Sequence, residues 1–214
     1  MRKPYTEDDF IFVVTEDFGW RIREISDFRL AIQEAAQRLK NSLFRSGVPL
    51  LYAHWEGHLR FCTFKYLEYL SFKRKTYAEL QDSILCVYTR SYFDALTSRR
   101  LTFSERLTIL RELVQKREAR FVRASVDDVE TRSNLNSAVL SELCMISGVN
   151  VDHFRDEFDF IDKILLSRRN NIAHGQEIYI TEADFREMSD RTISIMRQYR
   201  DSIENNVILG AYQN

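Results

Sequence analysis

Glycine and proline are scarce in this sequence, with 6 and 2 residues among 214. These two residues supply many of the tight turns of an all-β fold, so their scarcity argues against that class. Hydrophobic residues make up 44% of the chain, which is enough for a sizeable core. The composition therefore predicts a folded chain built from long helices, and it excludes a disordered one.

Cysteine is also rare, because Cys62, Cys86 and Cys144 are the whole set and they are widely spaced. An odd, scattered set predicts neither a disulfide framework nor a cysteine-based zinc site. No apolar run reaches the roughly 18 residues of a transmembrane helix, and the first residues lack a signal peptide's apolar stretch. We expect a soluble cytoplasmic protein that makes no membrane contact.

Charge is nearly balanced overall, at −1, but it is segregated along the chain. Arg99 to Arg123 holds eight basic residues against three acidic ones, a net charge of +5. Ala124 to Asp162 holds nine acidic residues against two basic ones, a net charge of −7. The basic stretch can attract RNA phosphates, remain a solvated surface or pair with the acidic stretch, and sequence alone leaves these alternatives open.

Apolar residues recur at three- and four-residue steps, which predicts amphipathic helices. A first helix covers Phe18 to Leu43, with Gly47-Val48-Pro49 as its end, and a second covers Pro49 to Phe72. The second is rich in aromatic residues, which favours a central, buried helix over a base-stacking surface. Ala124 to Ser133 is interpreted as a connector. Further helices are predicted at Leu80 to Leu96, Ser104 to Phe121, Asn134 to Ser147, Asp152 to Ala173, and Thr181 to Leu209.

One polar cluster follows the apolar run of the predicted Asp152 to Ala173 helix. It contains Arg168, Arg169, Asn170 and His174. Asn170 and His174 are four residues apart and share a helix face, whereas Arg169 and His174 differ by about 140° around the axis. An arginine and a histidine so placed can converge on one phosphate. The alternative is that the arginines solvate a helix end and His174 only caps it.

The string Arg169 to Gly175 resembles the R-N-x-x-A-H-G form of the HEPN signature. Tyr52 to Gly57 resembles the second-helix motif of the RiboL-PSP-type HEPN group. Ser133 to Asn136, followed by Val139-Leu140 and then Ile146 to Val149, resembles the segment that precedes the signature in the same group. The resemblance extends from about Trp20 to Asn205 and implies one HEPN-like domain over residues 1–214.

This resemblance implies an all-α bundle of about six to eight helices that forms a homodimer through its signature helices. It also implies a metal-independent endoribonuclease that needs no cofactor. Arg169 would stabilise the phosphate, His174 would transfer protons, and Asn170 would orient one of these groups. Arg168 and Glu56 are supporting candidates, although an ordinary ion pair is an equal interpretation for each.

Proteins of this kind resemble toxins of toxin-antitoxin systems and effectors of antiviral defence, so an antitoxin partner is a possibility. A variant signature has a modified tyrosine two residues after the histidine, and Gln176 stands there instead, which argues against control by that route. The rival function is a non-catalytic HEPN module that binds a nucleotide or serves as a dimeric scaffold. His54 and His58 have the spacing of a helical metal pair, but no nearby ligand completes a site, and packing is the preferred interpretation.

Overall fold

The computed structural model describes residues 3–98, 100–131 and 134–213. Ser133, Arg99 and Arg132, which fall within the segments discussed above, lie outside the described residues. Seven α-helices and no β-strand occur in the described part of the chain, which confirms the all-α prediction. The helices are α1 Glu7–Glu34, α2 Gln37–Phe72, α3 Asp82–Ser98, α4 Phe103–Glu118, α5 Ser137–Ser147, α6 Ser167–Ala173 and α7 Glu182–Ile208.

Helices α1, α2 and α7 pack on one another and form the centre of the molecule. The aromatic residues of α2 supply much of the core, since Tyr52, Trp55, Tyr66 and Tyr69 are all buried. The prediction that this helix is central is therefore confirmed. Helices α5 and α6 pack on α2, whereas α4 packs on α3 and a short 3-10 turn at Tyr77–Glu79.

The predicted boundary between the first two helices is wrong. Helix α2 runs without a break through Gly47 and Pro49, and the chain turns earlier, where Ala35 and Ala36 adopt extended backbone angles. An interior proline loses one backbone hydrogen bond and disfavours a helix locally. Here the burial of residues on both sides of Pro49 outweighs that cost. The real break involves only alanines, which carry no turn signal.

Gly47 lies where α2 approaches two other helices most closely. A Cβ atom added there would lie 2.4 Å from Cε2 of Phe185 on α7 and 2.7 Å from Cε1 of Phe28 on α1. Such distances are far inside van der Waals contact, so only glycine fits without moving the rings. Gly47 is thus retained for packing, and it does not end the helix.

The segment Val151 to Ala173 is helical, as predicted, but it changes pitch twice. A 3-10 stretch, Val151–Glu157, leads into a π-helical stretch, Phe160–Leu166, and then into α6. The buried apolar pair Phe160-Ile161 is followed five residues later by a second buried pair, Leu165-Leu166. That repeat suits a wide π turn better than an α turn. The π stretch buries both pairs, and its wider turn determines which face of the following helix α6 points toward the core.

Local start and stop signals account for the remaining boundaries. Thr181 caps α7 in a capping box with Asp184, as predicted. Gly148 ends α5 with a φ of 68°, also as predicted. The segment Gln176 to Ile180, between α6 and α7, forms no strand. Among the described residues, no helix is long and apolar enough to cross a bilayer.

The packing at Gly47 leads to a stability prediction. We expect Gly47→Ala to lower the free energy of unfolding by about 1–3 kcal/mol, because the rings of Phe28 and Phe185 must shift. Gly19→Ala is the matched control. It lies inside α1 with only Arg23 Nη1 nearby, at 3.5 Å, and should stabilise the protein by about 0.5–1 kcal/mol. Urea unfolding followed by circular dichroism measures both, and equal effects of the two substitutions would contradict this account.

Candidate active site

The segment from Arg169 to Gly175, called the signature segment below, ends in a Schellman motif that holds the backbone of His174 in a defined place. The N–H of Gly175 donates to the carbonyl of Ile172 at 3.0 Å, and the N–H of Gln176 donates to the carbonyl of Asn171 at 2.9 Å. This pattern requires a left-handed residue, and Gly175 has a φ of 76°. His174 is the last residue before that turn, and its side chain is exposed. Gly175 therefore ends the helix, as predicted from the sequence.

The imidazole of His174 makes no hydrogen bond with any residue of 3–98, 100–131 or 134–213. Its backbone N–H donates to the carbonyl of Asn170 at 3.0 Å, which keeps it joined to the last turn of α6. The ring therefore faces solvent from a fixed backbone position. This arrangement suits a group that meets a ligand or a second chain.

Arg169 is half-buried, and neighbours on three segments position its guanidinium group. Its Cζ atom lies 4.3 Å from the centre of the Tyr52 ring on α2. Its Nη1 donates to Oδ1 of Asn134 at 3.2 Å and to Oδ1 of Asn170 at 2.6 Å. These three neighbours are uncharged groups that fix the orientation of the cation. A fixed cation of this kind is suited to binding a phosphate.

Tyr52 is buried and holds the loop that carries Asn134. Its Oη accepts a hydrogen bond from the N–H of Leu135 at 2.5 Å. Trp55, one turn further along α2, donates through Nε1 to the carbonyl of Leu135 at 3.3 Å. Side chains of α2 thus bind both the backbone N–H and the backbone carbonyl of Leu135. These two hydrogen bonds hold the loop in a position from which Asn134 contacts Arg169.

The phenol of Tyr52 stays protonated at neutral pH. Burial disfavours the phenolate, and the nearby carboxylate of Glu56 adds to this effect, so together they raise the pKa of Tyr52 to about 12. The Leu135 N–H and Arg169 act in the opposite direction but are outweighed. Tyr52 therefore serves as a stacking platform and hydrogen-bonding group, and it is unsuited to act as a base.

Arg168 occupies a different place from its neighbour Arg169. Its Nη2 lies 3.2 Å from Oδ1 of Asp184, and its Nη1 lies 3.5 Å from Sδ of Met188. Asp184 also completes the capping box at the start of α7. Arg168 thus braces α6 against α7, which matches the ion-pair interpretation left open above. The structure brings Arg169, Asn170 and His174 to one helix end and turns Arg168 toward α7.

Glu56 accepts a short hydrogen bond from Oγ1 of Thr131. It lies one helical turn after Tyr52 and raises the pKa of that phenol. Its contact with the site therefore runs through Tyr52 and through the loop that contains Thr131. The role of Glu56 as a supporting site residue stays a prediction.

His54 and His58 are buried on α2, and each faces a carboxylate from α1. Nδ1 of His58 lies 2.7 Å from Oδ2 of Asp17, and Nε2 of His54 lies 3.0 Å from Oε2 of Glu24. Burial lowers the pKa of both imidazoles. Within the part of the chain that the structure describes, no three histidine, cysteine, aspartate or glutamate side chains could together hold a metal ion.

Three residues near the signature were not predicted as site residues. They are Tyr52, Asn134 and Arg45, and the Arg45 Nη2 donates to the carbonyl of Gln176 at 2.8 Å. Arg45 thereby fixes the chain just after the Schellman turn. Tyr52 and Asn134 lie within the two secondary motifs of the sequence, which was the available signal. Nothing in the sequence pointed to Arg45.

We expect substitutions of Tyr52 to separate its two roles. Tyr52→Phe keeps the ring under Arg169 but leaves the Leu135 N–H without its acceptor, and it should cost about 1–3 kcal/mol of stability. Tyr52→Leu also removes the stacking surface. Urea unfolding measures the first effect, and NMR relaxation of the Arg169 Nε–H group measures the second. An equally rigid Arg169 in both variants would contradict the role assigned to the ring.

The turn at Gly175 gives a second test. No atom lies within 4 Å of a Cβ added at Gly175, so only backbone strain opposes a side chain there. Gly175→Ala should cost about 1–2 kcal/mol because of its left-handed φ, and Gly175→Asn should cost less. Chemical denaturation compares the two variants. Equal stability of the alanine variant and the parent would contradict the assignment of a Schellman end.

Comparison with known proteins supports the sequence resemblance over most of the chain. The sequence model of the family described as RiboL-PSP-HEPN matches residues 16–205. No curated protein and no solved structure matches the chain. The matched region contains α2, the loop that carries Asn134, the signature segment and most of α7. The chain is therefore a member of the RiboL-PSP-HEPN family.

Proposed function

We propose that this protein is a metal-independent endoribonuclease whose catalytic residues are Arg169, His174 and Asn170. One observation carries the proposal. Arg169 is held by Tyr52, Asn134 and Asn170 at the same helix end where the Schellman turn exposes His174. An oriented cation and an exposed imidazole are the two kinds of group that this reaction needs.

The proposed reaction is attack of an RNA 2′-hydroxyl on its own 3′-phosphate. The O2′–P bond forms, the P–O5′ bond breaks, and the products carry a 2′,3′-cyclic phosphate and a 5′-hydroxyl. A proton leaves the 2′-oxygen and another reaches the departing 5′-oxygen, so proton transfer lowers the barrier at both places. Negative charge grows on the phosphoryl oxygens between these steps, and a fixed cation stabilises it.

His174 would transfer protons, since histidine exchanges them near neutral pH. Arg169 would bind the phosphoryl oxygens through its planar donor fork. Asn170 would keep Arg169 in place, because its Oδ1 already accepts from Nη1. Arg168 supports the site indirectly by bracing α6, and Glu56 does so through Tyr52 and Thr131.

We further propose that the working form is a homodimer in which two signature segments face each other. In a single chain, His174 is exposed and Arg169 is half-buried, so neither side chain is enclosed. A second copy would enclose the phosphate and bring a second imidazole, so that one histidine could act as base and the other as acid. A growth-arrest toxin or an antiviral effector acting on cytoplasmic RNA, with an antitoxin as a possible partner, is the setting in which we place this activity.

The test is cleavage of mixed RNA by the purified protein in excess chelator. We expect the parent to cut, and His174→Ala and Arg169→Ala each to lower the rate by about 10²–10⁴-fold, the range typical of lost proton transfer or charge stabilisation. His153→Ala is the matched control. His153 is also exposed, but it lies at the start of the Val151–Glu157 turn, away from the signature. Its loss should leave the rate unchanged.

Two results would overturn the proposal. Cutting that survives His174→Ala would remove the histidine from the reaction. Absence of cutting by the folded parent on any RNA would favour the non-catalytic alternative, a HEPN module that binds a nucleotide or acts as a dimeric scaffold. Light scattering on the same samples measures the oligomeric state.

A further inference from the structure

Helix α4 exposes a group of arginines. Arg106, Arg111 and Arg117 are all exposed, and none forms an ion pair within 4.0 Å with a residue of the described part of the chain. The whole helix buries no residue. These three arginines, with the exposed Phe103 at the start of α4, are called the α4 surface below.

Several carboxylates of the acidic stretch that follows α4 in sequence bind cations outside this surface. The pairs are Glu130 with Arg90 at 2.7 Å, Glu157 with Arg191 at 2.7 Å, Asp159 with Lys163 at 2.8 Å, and Asp127 with Arg60 at 4.0 Å. The sequence left open whether the basic and acidic stretches pair with each other. For these carboxylates, the structure shows other partners.

Helical geometry arranges the α4 surface into a stripe with charged edges. Phe103, Leu110 and Val114 are spaced at seven and four residues and lie on one face, with 82%, 57% and 61% of their surface exposed. Arg106 and Arg117 are three turns apart along one edge of that face, a separation of about 16 Å. Arg111 lies on the other edge. Apolar surface thus runs between guanidinium groups.

We propose that the α4 surface binds single-stranded RNA, with its arginines on the phosphates and Phe103 stacked on a base. Single-stranded RNA combines evenly spaced negative charge with flat apolar base faces, and proteins bind it through cations next to aromatic side chains. The proposal rests on the proposed function, which makes RNA the substrate. An acidic protein helix or an anionic membrane would also suit such charge, and both are outcomes of the test below.

The position of α4 makes this surface distinct from the signature segment. The end of α4 is attached just beyond α2, where the N–H of Tyr77 donates to the carbonyl of Ala119 at 3.0 Å and the N–H of Phe121 to that of Lys75 at 2.9 Å. Tyr52, under Arg169, lies 20 residues before Phe72 at the end of α2, about 30 Å along the helix axis. Only an RNA of several nucleotides can contact both places. The surface should therefore affect the affinity for long RNA and leave the chemical step unchanged.

The experiment measures RNA affinity in a His174→Ala background, in which cutting should be at least about 10²-fold slower. The probe is a labelled, unstructured RNA of roughly 30 nucleotides in excess chelator, long enough to cover more than one binding segment. The test variant carries Arg106→Glu, Arg111→Glu and Arg117→Glu. The matched control carries Arg23→Glu, Arg155→Glu and Arg197→Glu, three exposed positions outside α4 with the same change of charge. Circular dichroism verifies folding, and a triple glutamine variant at the α4 positions replaces the first if it does not fold.

We expect the test variant to bind at least about tenfold more weakly and the control variant to change by less than about threefold. The slope of log affinity against log salt should fall by about 2, since three phosphate contacts to a single strand contribute about 0.7 each. With His174 restored, the α4 substitutions should raise KM for the long RNA and leave kcat unchanged. Cleavage of a trinucleotide should be unaffected.

The outcomes separate this inference from the proposed function. RNA cutting with unchanged affinity in the α4 variant, or equal losses in the control, would overturn the α4 surface alone. Binding through α4 without any cutting by the parent would support the surface and overturn the proposed function. Binding of the parent to an acidic helical peptide or to anionic vesicles, lost in the α4 variant while RNA affinity is unchanged, would assign the surface to those partners and overturn the proposal.

Discussion

The close approach of α1, α2 and α7 at Gly47 is the constraint on which the rest of the structure depends. A helix that passes this near two phenylalanine rings cannot carry a Cβ, and it cannot end there without exposing them. Helix α2 therefore continues through Pro49, despite the lost hydrogen bond. Its continuity brings Arg45, Tyr52 and Glu56 onto one rigid element beside the signature segment. The candidate site is assembled around that element.

Two adjacent arginines, Arg168 and Arg169, show how the fold assigns different roles to similar residues. Arg168 forms an ion pair with the Asp184 carboxylate on α7, so its charge is compensated within the chain. Arg169 instead stacks on an aromatic ring and donates to two amide oxygens, and these contacts restrict its motion. Stacking and amide contacts of this kind each stabilise by about 0.5–1.5 kcal/mol. They are strong enough to orient the guanidinium group within the chain.

Local signals made parts of this structure predictable. The end of α5 at Gly148, the start of α7 at Thr181 and the end of the signature at Gly175 each follow from one or two neighbouring residues. The break at Ala35-Ala36 and the π stretch before α6 depend on distant packing, and the sequence gives no local sign of them. The stacking of Tyr52 on Arg169 joins residues more than a hundred positions apart, so it could be seen only once the helices were placed. The resemblance to HEPN proteins covered the segments that carry Tyr52 and Asn134, but it did not predict their contacts with Arg169.

In the proposed mechanism, the RNA's own 2′-hydroxyl attacks its phosphate at Arg169 and His174. A defined RNA with one mapped cut, compared with the same RNA carrying a single 2′-deoxynucleotide on the 5′ side of that cut, tests it most directly. We expect the deoxy substitution to abolish cutting at that position and to leave binding unchanged. No cyclic phosphate should form at the uncut site. Continued cutting at the deoxy position would mean that another nucleophile attacks, and it would contradict the mechanism.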